Sequence, residues 1–257
     1  MVYEIEIFKL FILAAVRISG LMVAAPILGS RNFPIVAKIG LTALTAMLVV
    51  PILPEQPGPI PDGAIPFALM GGAELLIGLL MGFTLTIVFA AIQVAGQIMD
   101  MLTGFALMNV FNPALEAQVP IFGFFFFVIA VLTLLVLDGH HLMLLGIVNT
   151  FDRIPLGGAY MHPALLRDIS RLGSIMFYDG LLISAPVAAA MLVAYMSMGL
   201  LGRVVPQIQL FAVGFPITIA AGLFLVAMVM GVYITVLEGM FARMFDDVSE
   251  IMMRMAA

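Results

Sequence analysis

The chain has 257 residues, of which 64% are apolar and only 10% are charged. Soluble domains are usually about 45 to 50% apolar and about 25% charged, so this composition excludes an ordinary water-soluble fold and a disordered chain. The 10 Lys and Arg against 15 Asp and Glu leave no basic excess for binding nucleic acid, so the class that remains is a polytopic membrane protein.

Stretches without charge mark the predicted spans, because ionisable side chains are costly at bilayer depth. An N-terminal apolar run, 7–28, contains Arg17 and is followed by five charge-free stretches: 39–54, 75–99, 117–137, 180–202 and 204–237. About 20 apolar residues cross a hydrocarbon core of about 30 Å, so we predict an all-α membrane protein of about six hydrophobic helical segments, in one domain, 1–257. The third segment is overlong, and we expect it to outrun the bilayer or to break at Gly71-Gly72. The Lys and Arg distribution favours a cytoplasmic N-terminus.

Two polar stretches interrupt or follow the apolar segments. Residues 138–171 hold three Asp, three Arg and all three His, and we predict an extramembrane loop there. Residues 238–257 have charged pairs at i,i+4 spacing among apolar positions, which predicts an amphipathic terminal helix at the membrane surface or against a partner.

Arg17 lies in the middle of an apolar segment, where a charge is expensive unless it is paired or faces a protein or aqueous interior. One interpretation is a residue of a transport pathway. The other, which we favour, is an ion pair between helices with a carboxylate such as Glu74.

The third segment carries polar and small residues near its end. Gln93, Gly96, Gln97 and Asp100 fall at helical spacing, so we expect one face that meets protein or water. Earlier in the same segment, 78–82 has a glycine at each end, which is typical of a helix-packing face.

The stretch that follows, 101–113, is apolar enough to be buried but is broken by Gly104 and Pro113. A break at membrane depth is tolerated where it is buried in protein or lines a cavity. Because Met side chains repack readily, a loop rich in Met and Phe can seal a channel and remain deformable, although such residues also serve as simple filler.

The sequence offers little for catalysis. Asp138, His140 and His141 are metal-ligating residue types, but adjacent His residues point in different directions, and a polar group after an apolar run is where a helix reaches the interface. There is no Cys, no nucleophile elbow around Ser19 or Ser184 and no phosphate-binding glycine loop. We expect no enzyme and no cofactor.

Several motifs in chain order resemble the FliR family of the flagellar type III export gate and its relatives in virulence secretion. They are 17–20, 25–29, 38–41, 96–100 through 112–113 to 119–120, 138–141 leading to 151–155, and 202–207 through Phe211 to 214–216. Together they cover nearly the whole chain, and the 202–216 block is the most distinctive.

The resemblance implies a non-enzymatic subunit of the bacterial inner membrane, built of helical hairpins within a helical export-gate complex. One copy would join several FliP and FliQ homologues, with an FlhB homologue nearby, to pass unfolded flagellar proteins out of the cytoplasm; several helices would sit toward the periplasm rather than in lipid. By position, a plug loop, 100–119, would narrow the pore through Met101, Phe105, Met108, Phe111, Asn112 and Pro113. The signature residues Pro206 and Gln207 would shape a subunit contact. The other candidates for helix or subunit packing come from the sequence itself: Arg17, Glu74, Gln93, Gln97 and Asp100.

Two alternatives remain open. A small-molecule secondary transporter also needs broken helices, but it often has paired interrupted segments, and 100–119 has no evident counterpart in the other half. An intramembrane hydrolase using Asp138, His140 and His141 predicts loss of function when either His is replaced.

Overall fold

The computed structural model describes residues 2–54, 60–106, 120–158, 163–204 and 210–256. Within them the chain forms helices and no strand, which confirms the predicted all-α class. The helices are α1 (Val2–Ala24), α2 (Ile35–Val49), α3 (Ala64–Thr103), α4 (Ile121–Val136), α5 (Gly139–Arg153), α6 (Ala164–Val204) and α7 (Leu210–Met255), with a 3-10 turn, Val50–Ile52, after α2.

The helices are long and apolar enough to make this a polytopic membrane protein. Among the described residues, five stretches qualify as single spans: 4–24, 35–52, 64–103, 165–204 and 214–255. The pair α4 and α5 qualifies as a sixth, bent at a short break. At this break Asp138 has a φ of 54°, in the left-handed region that Asp tolerates better than most side chains. The prediction of about six hydrophobic segments is confirmed.

The third predicted segment is one continuous helix. At 40 residues, α3 is about 60 Å long, twice the thickness of a hydrocarbon core. The expectation that it outruns a bilayer is confirmed, and the alternative of a break at Gly71-Gly72 is wrong. Glycine in a helix interior costs only about 1 kcal/mol each, which packing of the rest of the helix offsets.

The predicted extramembrane loop at 138–171 is wrong for most of its length. Residues 139–153 form α5, and α6 begins at Ala164. Met143, Ile147 and Phe151 recur every four residues on α5 and are buried, whereas His140 and His141 are exposed. The stretch is polar because it is an amphipathic helix, whose exposed face carries the charges.

The amphipathic end of the chain is helical as predicted, but it is not a separate helix. Residues 238–255 are the last part of α7, which runs for 46 residues. Met240, Met244 and Met252 are almost fully buried, so the apolar side of this part packs against protein.

The chain divides into two compact units. Unit 1 contains 1–87, 134–172 and 241–257, and unit 2 contains 88–133 and 173–240. Each has its own apolar core. Fully buried side chains in unit 1 include Leu13, Ile18, Leu21, Ile77, Met81, Met143 and Ile147, and those in unit 2 include Ile92, Met99, Phe126, Val187 and Met191.

An ion pair joins the N-terminal part of α1 to the segment that precedes α3. Lys9 Nζ donates a 2.5 Å hydrogen bond to the Asp62 carboxylate, which is otherwise exposed. The same hydrogen bond lowers the pKa of the Asp62 carboxyl, because it stabilises the ionised form.

Candidate functional site

Arg17 of α1 and Glu74 of α3 form an ion pair inside unit 1. The Arg17 Nε lies 2.6 Å from Glu74 Oε2, and neither side chain is exposed. Arg17 Nη1 donates to the Ile154 carbonyl at 2.9 Å and to the Thr150 hydroxyl at 3.2 Å. The guanidinium also lies 4.3 Å from the ring centroid of Phe151. The ion pair expected from the sequence is therefore present, and it has further partners on α5 and at the residue that follows α5.

The second oxygen of Glu74 continues this network. Glu74 Oε1 accepts a hydrogen bond from the backbone N–H of Gly157 at 2.8 Å, so the carboxylate bridges Arg17 and the loop after α5. Arg17 Nη2 is buried without a hydrogen-bond partner among the described residues. Because a buried charge is tolerated only when it is paired and hydrogen-bonded, this network fixes α1, α3 and α5 to one another.

Glycines bring α1 and α3 close enough for this ion pair. A Cβ at Gly78 would lie 2.0 Å from the carbonyl oxygen of Arg17, and a Cβ at Gly20 would lie 2.7 Å from that of Leu75. A Cβ at Gly82 would meet the Cβ of Ala24 at 2.6 Å. The predicted packing face with glycines at 78 and 82 is confirmed, and its counterpart on α1 includes Gly20.

Sequence reasoning missed the contribution of α5. Thr150, the carbonyl of Ile154 and the N–H of Gly157 are more than 70 positions from the side chain that each contacts. A weak signal existed, since 151–155 belongs to the motifs that carry the family resemblance. Nothing in those residue types indicated that they hold Arg17 and Glu74.

At the other end of α3, Asp100 contacts the start of α4 inside unit 2. Its Oδ1 accepts a hydrogen bond from the backbone N–H of Phe122 at 3.1 Å, and the N–H of Gly123 lies beside the same carboxylate. Asp100 is 3% exposed, and its Oδ2 has no hydrogen-bond partner within the described residues. This carboxylate therefore holds a helix terminus rather than facing water.

The four residues of the predicted polar face near the end of α3 lie on two different sides of the helix. Gly96 and Asp100 are buried, whereas Gln93 and Gln97 are exposed. Residues four apart lie on the same side of a helix, whereas residues 96 and 97 are about 100° apart around its axis. The 96/100 pair therefore faces the core, and the 93/97 pair faces outward.

The predicted plug loop begins later than residue 100. Residues 100–103 are the last turn of α3, and Gly104, with a φ of 94°, ends the helix. Met101 is 72% exposed, and Phe105 packs edge-on against Phe122 with 5.3 Å between ring centroids. Met108, Phe111, Asn112 and Pro113, together with the packing candidates Pro206 and Gln207, lie outside the described residues.

Asp138, His140 and His141 are not joined by other metal-ligating side chains of the described residues. All three are exposed at the start of α5. Across the part of the chain that the structure describes, no three metal-ligating side chains converge.

The charges of the terminal part of α7 are matched by charges on α6 within unit 1. Arg171 donates to Asp247 at 3.1 Å and to Glu250 at 2.8 Å. Arg254 pairs with Asp168 at 3.3 Å and with Glu250 at 2.7 Å. These side chains are mostly part-exposed, so each pair contributes up to about 1 kcal/mol, and the network joins the two helix ends.

Comparison with known proteins shows the family to which this chain belongs. The sequence profile described as "Bacterial export proteins, family 1" matches residues 8–244. The chain belongs to this family of bacterial export proteins. Its relatives in the family include the flagellar biosynthetic protein FliR of Escherichia coli (strain K12), which is 30% identical over 95% of this chain and 92% of its own length. FliR of Bacillus subtilis (strain 168) is 30% identical over 96% of both chains, and FliR of Caulobacter vibrioides is 27% identical over 86% and 89%.

Membership of the bacterial export proteins agrees with the geometry of the site. Both buried carboxylates on α3, Glu74 and Asp100, accept hydrogen bonds from other helices or their ends, and no group of three metal-ligating side chains occurs in the described residues. The named relatives are biosynthetic and export proteins rather than enzymes.

Proposed function

We propose that this chain is a core subunit of the flagellar type III protein export gate. It assembles with FliP and FliQ homologues in the bacterial inner membrane and helps to form and close the channel through which unfolded flagellar proteins leave the cytoplasm. The observation that carries this proposal is the similarity to flagellar biosynthetic FliR proteins over more than nine-tenths of both chains.

The exposed apolar surface supports a place inside an assembly. Large exposed apolar side chains on α6 extend from Leu166 to Val204, each 76% exposed, with others such as Phe177 and Met196 between them. At a helical rise of 1.5 Å per residue, the length of α6 from 166 to 204 is about 57 Å, whereas the hydrocarbon core of a bilayer is about 30 Å thick. Apolar surface beyond the bilayer needs protein to cover it, which neighbouring subunits provide.

We assign the narrowing of the channel to the chain between α3 and α4, which makes up most of the predicted segment 100–119, together with Met101 at the end of α3. In the described part of this segment, Met101 is exposed at the last turn of α3 and Phe105 is held against Phe122. The other residues that we assign to the narrowing are Met108, Phe111, Asn112 and Pro113. An FlhB homologue and the unfolded cargo complete the proposed set of partners.

The assembly is tested by expressing a tagged copy alone and together with the FliP and FliQ homologues of the same organism, followed by native mass spectrometry. We expect a discrete hetero-oligomer that contains one copy of this chain. A stable monomer or homodimer that ignores these partners would refute the proposal, and small-solute transport would then be measured.

The narrowing is tested with Phe111→Asp, which places a charge in an apolar constriction and admits water and ions. We expect the closed assembly to leak small ions and growth to slow. Phe111→Leu is the matched control because it stays apolar. Unchanged conductance in Phe111→Asp, with the assembly intact, would remove this residue from the constriction.

A further inference from the structure

The start of α4 depends on an acceptor that lies on another helix. The first N–H groups of a helix have no partner within it, and Pro120, just before α4, has no N–H of its own. Asp100 on α3 supplies the acceptor for Phe122. Asp100 therefore caps α4 from α3.

The close approach of two glycines makes this cap possible. A Cβ at Gly96 would lie 2.1 Å from the Cα of Gly123, so the backbones of α3 and α4 touch here. Gly96 is one helical turn before Asp100, and Gly123 follows Phe122. The short carboxylate of Asp100 reaches the first turn of α4 because no side chain separates the two helices.

A third contact lies just beyond the end of α3. Phe105 follows the Gly104 turn and meets the ring of Phe122 edge-on, and Phe122 is 2% exposed. The hydrogen bond, the glycine contact and the aromatic pair all join the last turns before residue 107 to the first turn after residue 119. The two ends of the intervening chain are thus held together by described residues.

We propose that Asp100 is a positioning residue that fixes the end of α3 to the start of α4 and so sets the spacing between the two ends of the segment that narrows the channel. This inference rests on the proposed function for its effect on conductance. The cap itself depends only on the contacts of Asp100.

The test uses the assembly with FliP and FliQ homologues and compares three variants with the parent. Asp100→Leu has a similar size but no acceptor, whereas Asp100→Asn keeps a carbonyl oxygen that accepts from Phe122. Asp152→Leu is the matched control, because it makes the same substitution at an exposed aspartate on α5. The two readouts are ion leakage without cargo and hydrogen–deuterium exchange of peptides covering 120–124.

We expect Asp100→Leu to leak ions and its 120–124 amides to exchange about 5- to 30-fold faster, since losing a cap shifts local opening by that factor. Asp100→Asn and Asp152→Leu are expected to match the parent in both readouts. Leakage of Asp100→Asn equal to that of Asp100→Leu would overturn the inference, because the charge rather than the acceptor would then matter. Unchanged exchange in Asp100→Leu would overturn it as well.

Two further measurements separate this inference from the proposed function. We expect the assembly that lacks 107–119 to leak ions. If that assembly leaks while the Asp100→Leu assembly does not, the inference is refuted and the proposed function still stands. If Asp100→Leu does not assemble, exchange at 120–124 in the isolated chain decides whether the cap exists. If the parent itself forms no complex, the proposed function fails, and the same exchange measurement still supports or refutes the cap.

Discussion

Replacing Arg17 by Met tests how strongly the buried ion pair holds unit 1 together. The substitution keeps a long, flexible side chain but removes the donors to Glu74 at 2.6 Å and to the Ile154 carbonyl at 2.9 Å. Glu74 then stays buried with only the N–H of Gly157 as a partner. Because removing one member of a buried pair leaves an uncompensated charge, we expect the free energy of unfolding to fall by about 3–5 kcal/mol.

The assay is unfolding by SDS titration in mixed micelles, followed by far-UV circular dichroism. Glu74→Leu and the double variant complete a double-mutant cycle. We expect the double variant to be more stable than the sum of the two losses predicts, with a coupling of about 1–3 kcal/mol, because removing both charges leaves neither of them unpaired.

Arg171→Met is the matched control for this cycle. Arg171 also pairs with two carboxylates at 3.1 and 2.8 Å, but its side chain is 45% exposed. Water already screens such pairs, so the loss of both should cost at most about 2 kcal/mol, or about 1 kcal/mol for each pair. A loss in Arg17→Met no larger than that in Arg171→Met would show that the buried network is not what fixes α1, α3 and α5.

Two further predictions concern the helix contact and the exposed histidines. Gly78→Ala should lower the free energy of unfolding by about 1–3 kcal/mol in the same titration, because its Cβ would lie 2.0 Å from the carbonyl oxygen of Arg17. Gly72→Ala is the control: a Cβ there would have no atom within 4 Å, so the free energy of unfolding should stay the same or rise by up to about 1 kcal/mol. Equal effects of the two substitutions would contradict the close contact at Gly78. His140→Ala and His141→Ala should leave swimming motility on soft agar unchanged, because both side chains are exposed and hold no metal cluster with other described residues. Loss of motility in a stably assembled variant of either would bring back the hydrolase interpretation.

Apolar runs and their interruptions were enough to predict the helical class and the approximate number of segments. They failed at 138–171, where the polar composition predicts a loop. That stretch keeps Met143, Ile147 and Phe151 at four-residue spacing, so helical periodicity was the signal that its overall polarity hid.

The sequence by itself determined that Arg17 needed a partner, because burying an unpaired charge in an apolar segment costs too much free energy. The chain has few carboxylates near apolar segments, and Glu74 was the one expected to pair with it. Only the tertiary structure decided the rest of that network, since the Ile154 carbonyl and the Gly157 N–H are backbone groups that every residue possesses. The same holds for Asp100. Helical spacing placed it on a polar face, but its contact with α4 exists only because chain folding brings two glycine-containing turns together. Composition and periodicity fix what a side chain requires, and long-range packing decides which groups meet that requirement.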